Sequence, residues 1–139
     1  MQKLAVLVLA ILFMACSSSS NKKEQSQEVK AVEKTQHPGE IQYKRHCLSC
    51  HQKNAGGIPG MYPPLADNKV VSGEKEPLIN IVLHGLSGEI EVNGEKYNGV
   101  MASYKNLSDK DIADVLNYLR SGFGNSGEAI TPAEVKSLR

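Results

Sequence analysis

Tryptophan is absent from this sequence, phenylalanine occurs twice, and aromatic residues make up only 5% of it. A chain of 139 residues so poor in large side chains has little with which to fill a core. That scarcity points to a staple: disulfides, a metal or a buried cofactor. A charge excess is missing as well. Sixteen Lys and Arg stand against 15 Asp and Glu, a net +1. The basic face or stripe of a nucleic-acid binder is thereby removed. No apolar run reaches the roughly twenty residues that a membrane-spanning helix needs, and no internal repeat is visible. What is present amounts to one domain with unfolded ends.

The longest apolar run, Leu4 to Ala15, has twelve residues and follows Lys3. A positive start, a short apolar run and a small residue before a cut point describe a secretory signal over residues 1–15. The string Leu12-Phe13-Met14-Ala15-Cys16 resembles a bacterial lipobox. That resemblance implies cleavage before Cys16 and a lipid on its sulfur, although Phe13 and Met14 depart from the Leu and small residue usual there. The alternatives are an ordinary secretory signal in which Cys16 is incidental, and a retained anchor. The lipoprotein is preferred because the cysteine closes the apolar run and a polar segment follows at once. An exported, lipid-anchored protein facing the periplasm or the cell exterior is expected. Residues 16–36, serine-rich and then charged, cannot bury enough surface to offset ordering and read as a flexible tether. The folded unit is then 37–139, where 11 Lys and Arg meet 12 Asp and Glu.

One motif carries the chemistry. Cys47-Leu48-Ser49-Cys50-His51 is the C-x-x-C-H sequence that binds haem covalently. Two thiols three positions apart at a helix end reach the two vinyl groups of one porphyrin and become thioethers. The next residue, His51, is then held beneath the iron as proximal ligand. Zinc would require a second Cys or His pair at matching spacing, which is not there. A thioredoxin-like redox pair requires a βαβ setting, also missing. A Cys47–Cys50 disulfide would leave the thin core unexplained. The three cysteines are then accounted for, one for lipid and two for haem c.

The flanks predict helices. Gly39, Tyr43 and Cys47 fall at i, i+4 and i+8, one stripe of a helix from about Pro38 into the motif. Glu76-Pro77 opens a helix of Leu78 to His84 that Gly85 ends. Ile90 and Val92 alternate into Asn93-Gly94, a tight-hairpin signal. Ser108-Asp109-Lys110-Asp111 caps a helix whose apolar face is Ile112, Val115, Leu116 and Leu119, with Gly122 placed to stop it. Thr131-Pro132-Ala133-Glu134 caps a last short helix. The expected fold is all-α, three to five helices around one haem, with a small β-hairpin near residues 90–97.

From about Gly39 to Asn125 the chain resembles a class I c-type cytochrome of the bacterial monohaem type. The resemblance rests on Gly39-x3-Tyr43-x3-Cys47-x2-Cys50-His51, Gly60-Met61-Tyr62-Pro63-Pro64-Leu65-Ala66 and Val82-Leu83-His84-Gly85-Leu86-Ser87-Gly88. It continues through Tyr97-Asn98-Gly99-Val100-Met101, Leu107-Ser108-Asp109 and Asn117-Tyr118-Leu119-Arg120. The later strings look most like cytochrome domains that accompany quinoprotein dehydrogenases, copper nitrite reductases or terminal oxidases. The family implies that the first and last helices cross, with Gly39 and Tyr43 meeting Tyr118. It also implies that the Pro63 carbonyl accepts the His51 Nδ1–H bond. Met101 matches the family's axial methionine. Where that family usually has Met-Pro, this chain has Met101-Ala102, which loosens the loop without removing the thioether.

Competing ligands are few. Met61 stands ten residues from His51 and beside two prolines, suiting a pocket wall. His84 ends a helix, where capping a carbonyl or touching a propionate suits it, and His37 and His46 look like edge or surface residues. Tyr62, Leu65 and Tyr97 read as pocket packing. Lys53, Lys69 and Lys105 read as solvated surface, with steering of an acidic partner as the alternative. The leading function is single-electron transfer between redox-partner proteins such as a dehydrogenase, reductase or oxidase, at the outer side of a membrane. An open-site haem acting as peroxidase or gas sensor is the competing class, and a structural haem subunit of a respiratory complex the third.

Overall fold

In the computed structural model, which describes residues 37–139, Pro38 presets the first turn of α1 (Pro38–His46). The His37 ring caps it, Nδ1 accepting the Gly39 N–H at 3.1 Å. The signal segment, Cys16 and the polar tether lie outside the described residues. A break at Cys47 separates α1 from a single turn, α2 (Leu48–His51), which Gln52 ends in the left-handed region at φ 63°. A second single turn, α3 (Lys69–Ser72), starts where Asn68 Oδ1 accepts the N–H groups of Val70 and Val71 at 2.8 and 3.2 Å. The next helix, α4 (Lys75–His84), begins earlier than the sequence suggested. Proline is tolerated throughout a first turn, whose N–H groups have no partner in the helix, so Pro77 is its third residue.

The hairpin forms as expected. Strands β1 (Ile90–Val92) and β2 (Glu95–Tyr97) pair antiparallel with Ile90 opposite Tyr97. Asn93 and Gly94 take φ of 53° and 84°, the left-handed pair that a two-residue turn of this kind requires. Ser108 Oγ then accepts the Asp111 N–H at 3.1 Å and opens α5 (Asp109–Arg120). Its four predicted apolar positions are all buried, Ile112 and Leu116 completely, each contributing about 1.5–3 kcal/mol. The last helix, α6 (Pro132–Ser137), carries the full capping box between Thr131 and Glu134. Among the described residues there are thus six helices, two of them single turns, and one two-stranded sheet. The two extra turns are why the count exceeds the three to five anticipated.

Helices α1 and α5 cross at Gly39. A Cβ there would collide with the Asp114 carbonyl and lie 2.6 Å from Tyr118 Cβ, so only glycine permits this approach. Tyr43, Tyr118 and Phe123 close the crossing, with ring centroids 5.3–5.8 Å apart. Two buried polar residues then bind the remaining segments to α5. Asn125 donates to the carbonyls of Leu65 and Leu119 and accepts from Asn68 N–H at 2.9 Å. Arg120, 3% exposed, donates to the carbonyls of Val71, Gly73 and Glu128 at 2.7, 3.0 and 2.8 Å.

Glu134 makes α6 acid-labile. The Thr131 backbone N–H, Lys75 and the Thr131 hydroxyl hold its carboxyl down at about 2, from an ordinary 4.5. A depressed carboxyl stabilises the fold above its unfolded value, and that contribution drains as pH falls from 4.5 toward 2. Hydrogen exchange in α6 should therefore accelerate across that window. Glu134→Gln should remove the acid dependence; an unchanged profile would place the labile group elsewhere.

Candidate functional site

The site begins where α1 breaks. The turn at Cys47 brings both thiols, each half-buried, to one side of α2 and places His51 at its end. His51 is 8% exposed, and its Nδ1 lies 3.0 Å from the Pro63 carbonyl. A carbonyl can only accept, so Nδ1 carries the proton and Nε2 keeps its lone pair. Burial lowers the His51 pKa against the upward pull of the Pro63 bond, which keeps the ring in the neutral, ligating form. Burial, followed by the neighbouring Cys50, pushes the Cys47 thiol up to about 11. The loop delivering Pro63 is shaped by Gly57, at φ 67°, where any Cβ would run into the backbone of Tyr62 and Pro63.

Two adjoining cavities meet at these residues. The first, about 570 Å³ of empty space, is walled by Leu65, Val71, Leu78 and Leu116. The second, about 800 Å³, is walled by Tyr62, Pro63, Leu86, Ile90 and Tyr97. His46, Cys47, His51, Met101 and Tyr104 line both. Met101 is fixed there by a two-way bridge, accepting the Leu86 N–H at 3.1 Å and donating its own to the Leu86 carbonyl at 2.8 Å. Gly85, at φ 80°, permits the approach, since a Cβ would lie 2.5 Å from the Met101 carbonyl.

The donor set decides what fits. Among the described residues no three His, Cys, Asp or Glu converge to hold a bare ion, whereas a zinc site takes three or four such ligands. An imidazole and a thioether in an apolar cleft suit a metal that brings its own equatorial donors in a flat, largely apolar ring. Two thiols at the rim suit anchoring that ring. The residues present fit haem.

Comparison with known proteins agrees. The family model described as Cytochrome c matches residues 36–123. The chain belongs to the cytochrome c family. A cytochrome c-552 of Thermus thermophilus is 45% identical over 102 residues, spanning 67% of this chain and 78% of that one. The cytochrome c subunit of a quinone alcohol dehydrogenase from Gluconacetobacter polyoxogenes is 39% identical over 106 residues, 73% of this chain but only 22% of the subunit. This cytochrome is a monohaem electron-transfer protein and not an enzyme, with haem c bound covalently through Cys47 and Cys50.

Other residues sort by position. Tyr62 and Tyr97 line the second cavity and Leu65 the first. Met61 sits at the second cavity's rim, 54% exposed. His84 is exposed and lines neither cavity. Lys53, Lys69 and Lys105 are exposed and line neither. His46, read from the sequence as an edge or surface residue, is half-buried and lines both cavities. Tyr104 was missed. Its hydroxyl donates to the His46 carbonyl at 2.7 Å and its ring meets the His46 ring edge-on at 5.8 Å. A lone aromatic in the polar loop before Ser108 was the signal available.

Proposed function

We propose that His51 Nε2 and Met101 Sδ are the axial ligands of the haem, that Cys16 carries a lipid, and that the cytochrome passes single electrons between protein partners at the outer face of a bacterial membrane. The observation carrying the ligand assignment is that His51, with Nδ1 committed to Pro63, and Met101, pinned by Leu86, line the same two cavities. When bound, the haem supplies a one-electron Fe(III)/Fe(II) couple. The chain supplies rigidity. Pro63 keeps the imidazole from rotating, the Leu86 bridge keeps the thioether in place, and the apolar walls exclude water. Ala102, the departure from the family's proline, follows a residue whose backbone is bonded in both directions to Leu86. A thioether ligand favours the reduced form and raises the potential. The relation to a dehydrogenase's cytochrome c subunit supports a dehydrogenase among the partners.

Ferric and ferrous spectra test the ligands: both states should be low-spin, with the weak far-red sulfur-to-iron band in the ferric form. Ready carbon monoxide binding by the unmodified ferrous protein would mean an open sixth site and sink the assignment. The anchor is tested separately. No helix among the described residues is long and apolar enough to cross a membrane, and the polar tether of about twenty residues would give a root-mean-square reach of roughly 25 Å. Cys16→Ser should release the protein from the membrane fraction or block its processing. Continued membrane association after normal cleavage would rule the lipid out.

A further inference from the structure

Residues 102–108 join Met101 to α5 without helix or strand of their own. The first part of this loop is anchored to the end of α4. Ser103 Oγ donates to the Leu83 carbonyl at 2.5 Å and the Tyr104 N–H to the Val82 carbonyl at 2.9 Å. The second part is held from a different direction. Arg139, beyond α6, donates through its two terminal nitrogens to the carbonyls of Lys105 and Leu107, both at 2.6 Å. Its Nε donates to the Asp109 carboxylate at 2.5 Å. One planar guanidinium therefore joins the end of the loop to the first residue of α5, and all three bonds are charge-assisted. The ion pair, about 30% exposed on each side, is screened by water. The two carbonyl bonds carry the grip on the backbone.

The helix that presents Arg139 is itself well fastened. Val135 is fully buried, and Lys75 pairs with Glu134 at 2.9 Å. This helix lies outside residues 36–123 that match the family model. The same loop contains Ala102, where a proline would have stiffened the backbone from within.

We propose that Arg139 is a positioning residue for the electron-transfer site: by clamping Lys105, Leu107 and Asp109 it keeps the Met101 loop closed and the thioether on the iron. The proposal rests on Met101 being the sixth ligand. Electron transfer needs that ligand to stay in place in both oxidation states, so opening of this loop competes with function.

The holoprotein provides the test, with imidazole as the probe of opening. Imidazole can reach the ferric iron only when the sulfur has left, so its limiting uptake rate reads the loop. Arg139→Gln should raise that rate about tenfold, as expected for loss of roughly one charge-assisted hydrogen bond. It should also lower the pH at which the far-red sulfur band disappears. Arg139→Lys, a point charge that cannot fork between two carbonyls, should restore only part of the effect. Asn68→Ala removes the cap of α3 without touching α6 or the loop, and should lower the thermal midpoint while leaving imidazole uptake unchanged. Equal acceleration by Asn68→Ala and Arg139→Gln would mean general loosening and overturn the clamp. A sulfur band present in the unmodified protein, with uptake unmoved by Arg139→Gln, would overturn the clamp alone. Absence of the band from the unmodified protein would overturn the Met101 assignment and the clamp with it.

Discussion

Met101→Ala should abolish the far-red sulfur band, open the iron to carbon monoxide and peroxide, and lower the reduction potential. The shift should be on the order of a tenth or more of the roughly 0.8 V that axial ligation spans. The physical cause is the loss of a soft sulfur donor that stabilises the ferrous state. The Leu86 bridge uses only the Met101 backbone, so the substitution leaves the loop's path intact and isolates the thioether. Met61→Ala and His84→Ala serve as controls. Met61 stands half-exposed at the rim and His84 lines neither cavity, so both variants should keep the band. If His84→Ala were the variant that exposed the iron, the sixth ligand would be imidazole and the Met101 assignment would fall.

Cys47→Ala or Cys50→Ala should abolish or cripple accumulation of holoprotein, and the haem-free chain should be largely unfolded. Leu65, Val71, Leu78 and Leu116 line the first cavity, an apolar wall that the porphyrin would cover. Apolar walls left without their filling lose stability in proportion to the void that remains. Domains of this size have only about 5–15 kcal/mol in hand. The sequence offers no compensating bulk, with Phe123 the one phenylalanine outside residues 1–15 and no tryptophan. Circular dichroism and thermal melting of the haem-free protein measure this directly. A cooperative transition in that form would show that the protein core suffices without the porphyrin.

What the sequence made legible was local. The Asn93-Gly94 turn, the Ser108 and Thr131 caps, the apolar stripe of α5 and the C-x-x-C-H motif each complete their signal within a few residues, and each formed as expected. The resemblance to c-type cytochromes added the Gly39–Tyr118 crossing and the Pro63 bond, neither of which has a local signature. What stayed hidden joins distant residues. Asn125 meets Asn68, Arg120 meets Val71 and Gly73, and Leu86 meets Met101. Asparagine and arginine in polar stretches read as surface until the partner carbonyls are known. The one-turn α3 is too short to show a period, and Tyr104 had no motif around it.

The closed crossing of α1 over α5 also fixes an order of assembly. With the crossing closed Cys47 is half-buried, and burial pushes its thiol up to about 11. Burial thus disfavours the thiolate, the form that reacts. Helix α5, which packs on Gly39 at that crossing, is also the last of the long helices in chain order. A nascent chain lacking α5 has nothing to pack on Gly39 and leaves both thiols in water, near their ordinary titration range. Attachment of the porphyrin therefore belongs to the open chain, and closure of the crossing seals a bond already made.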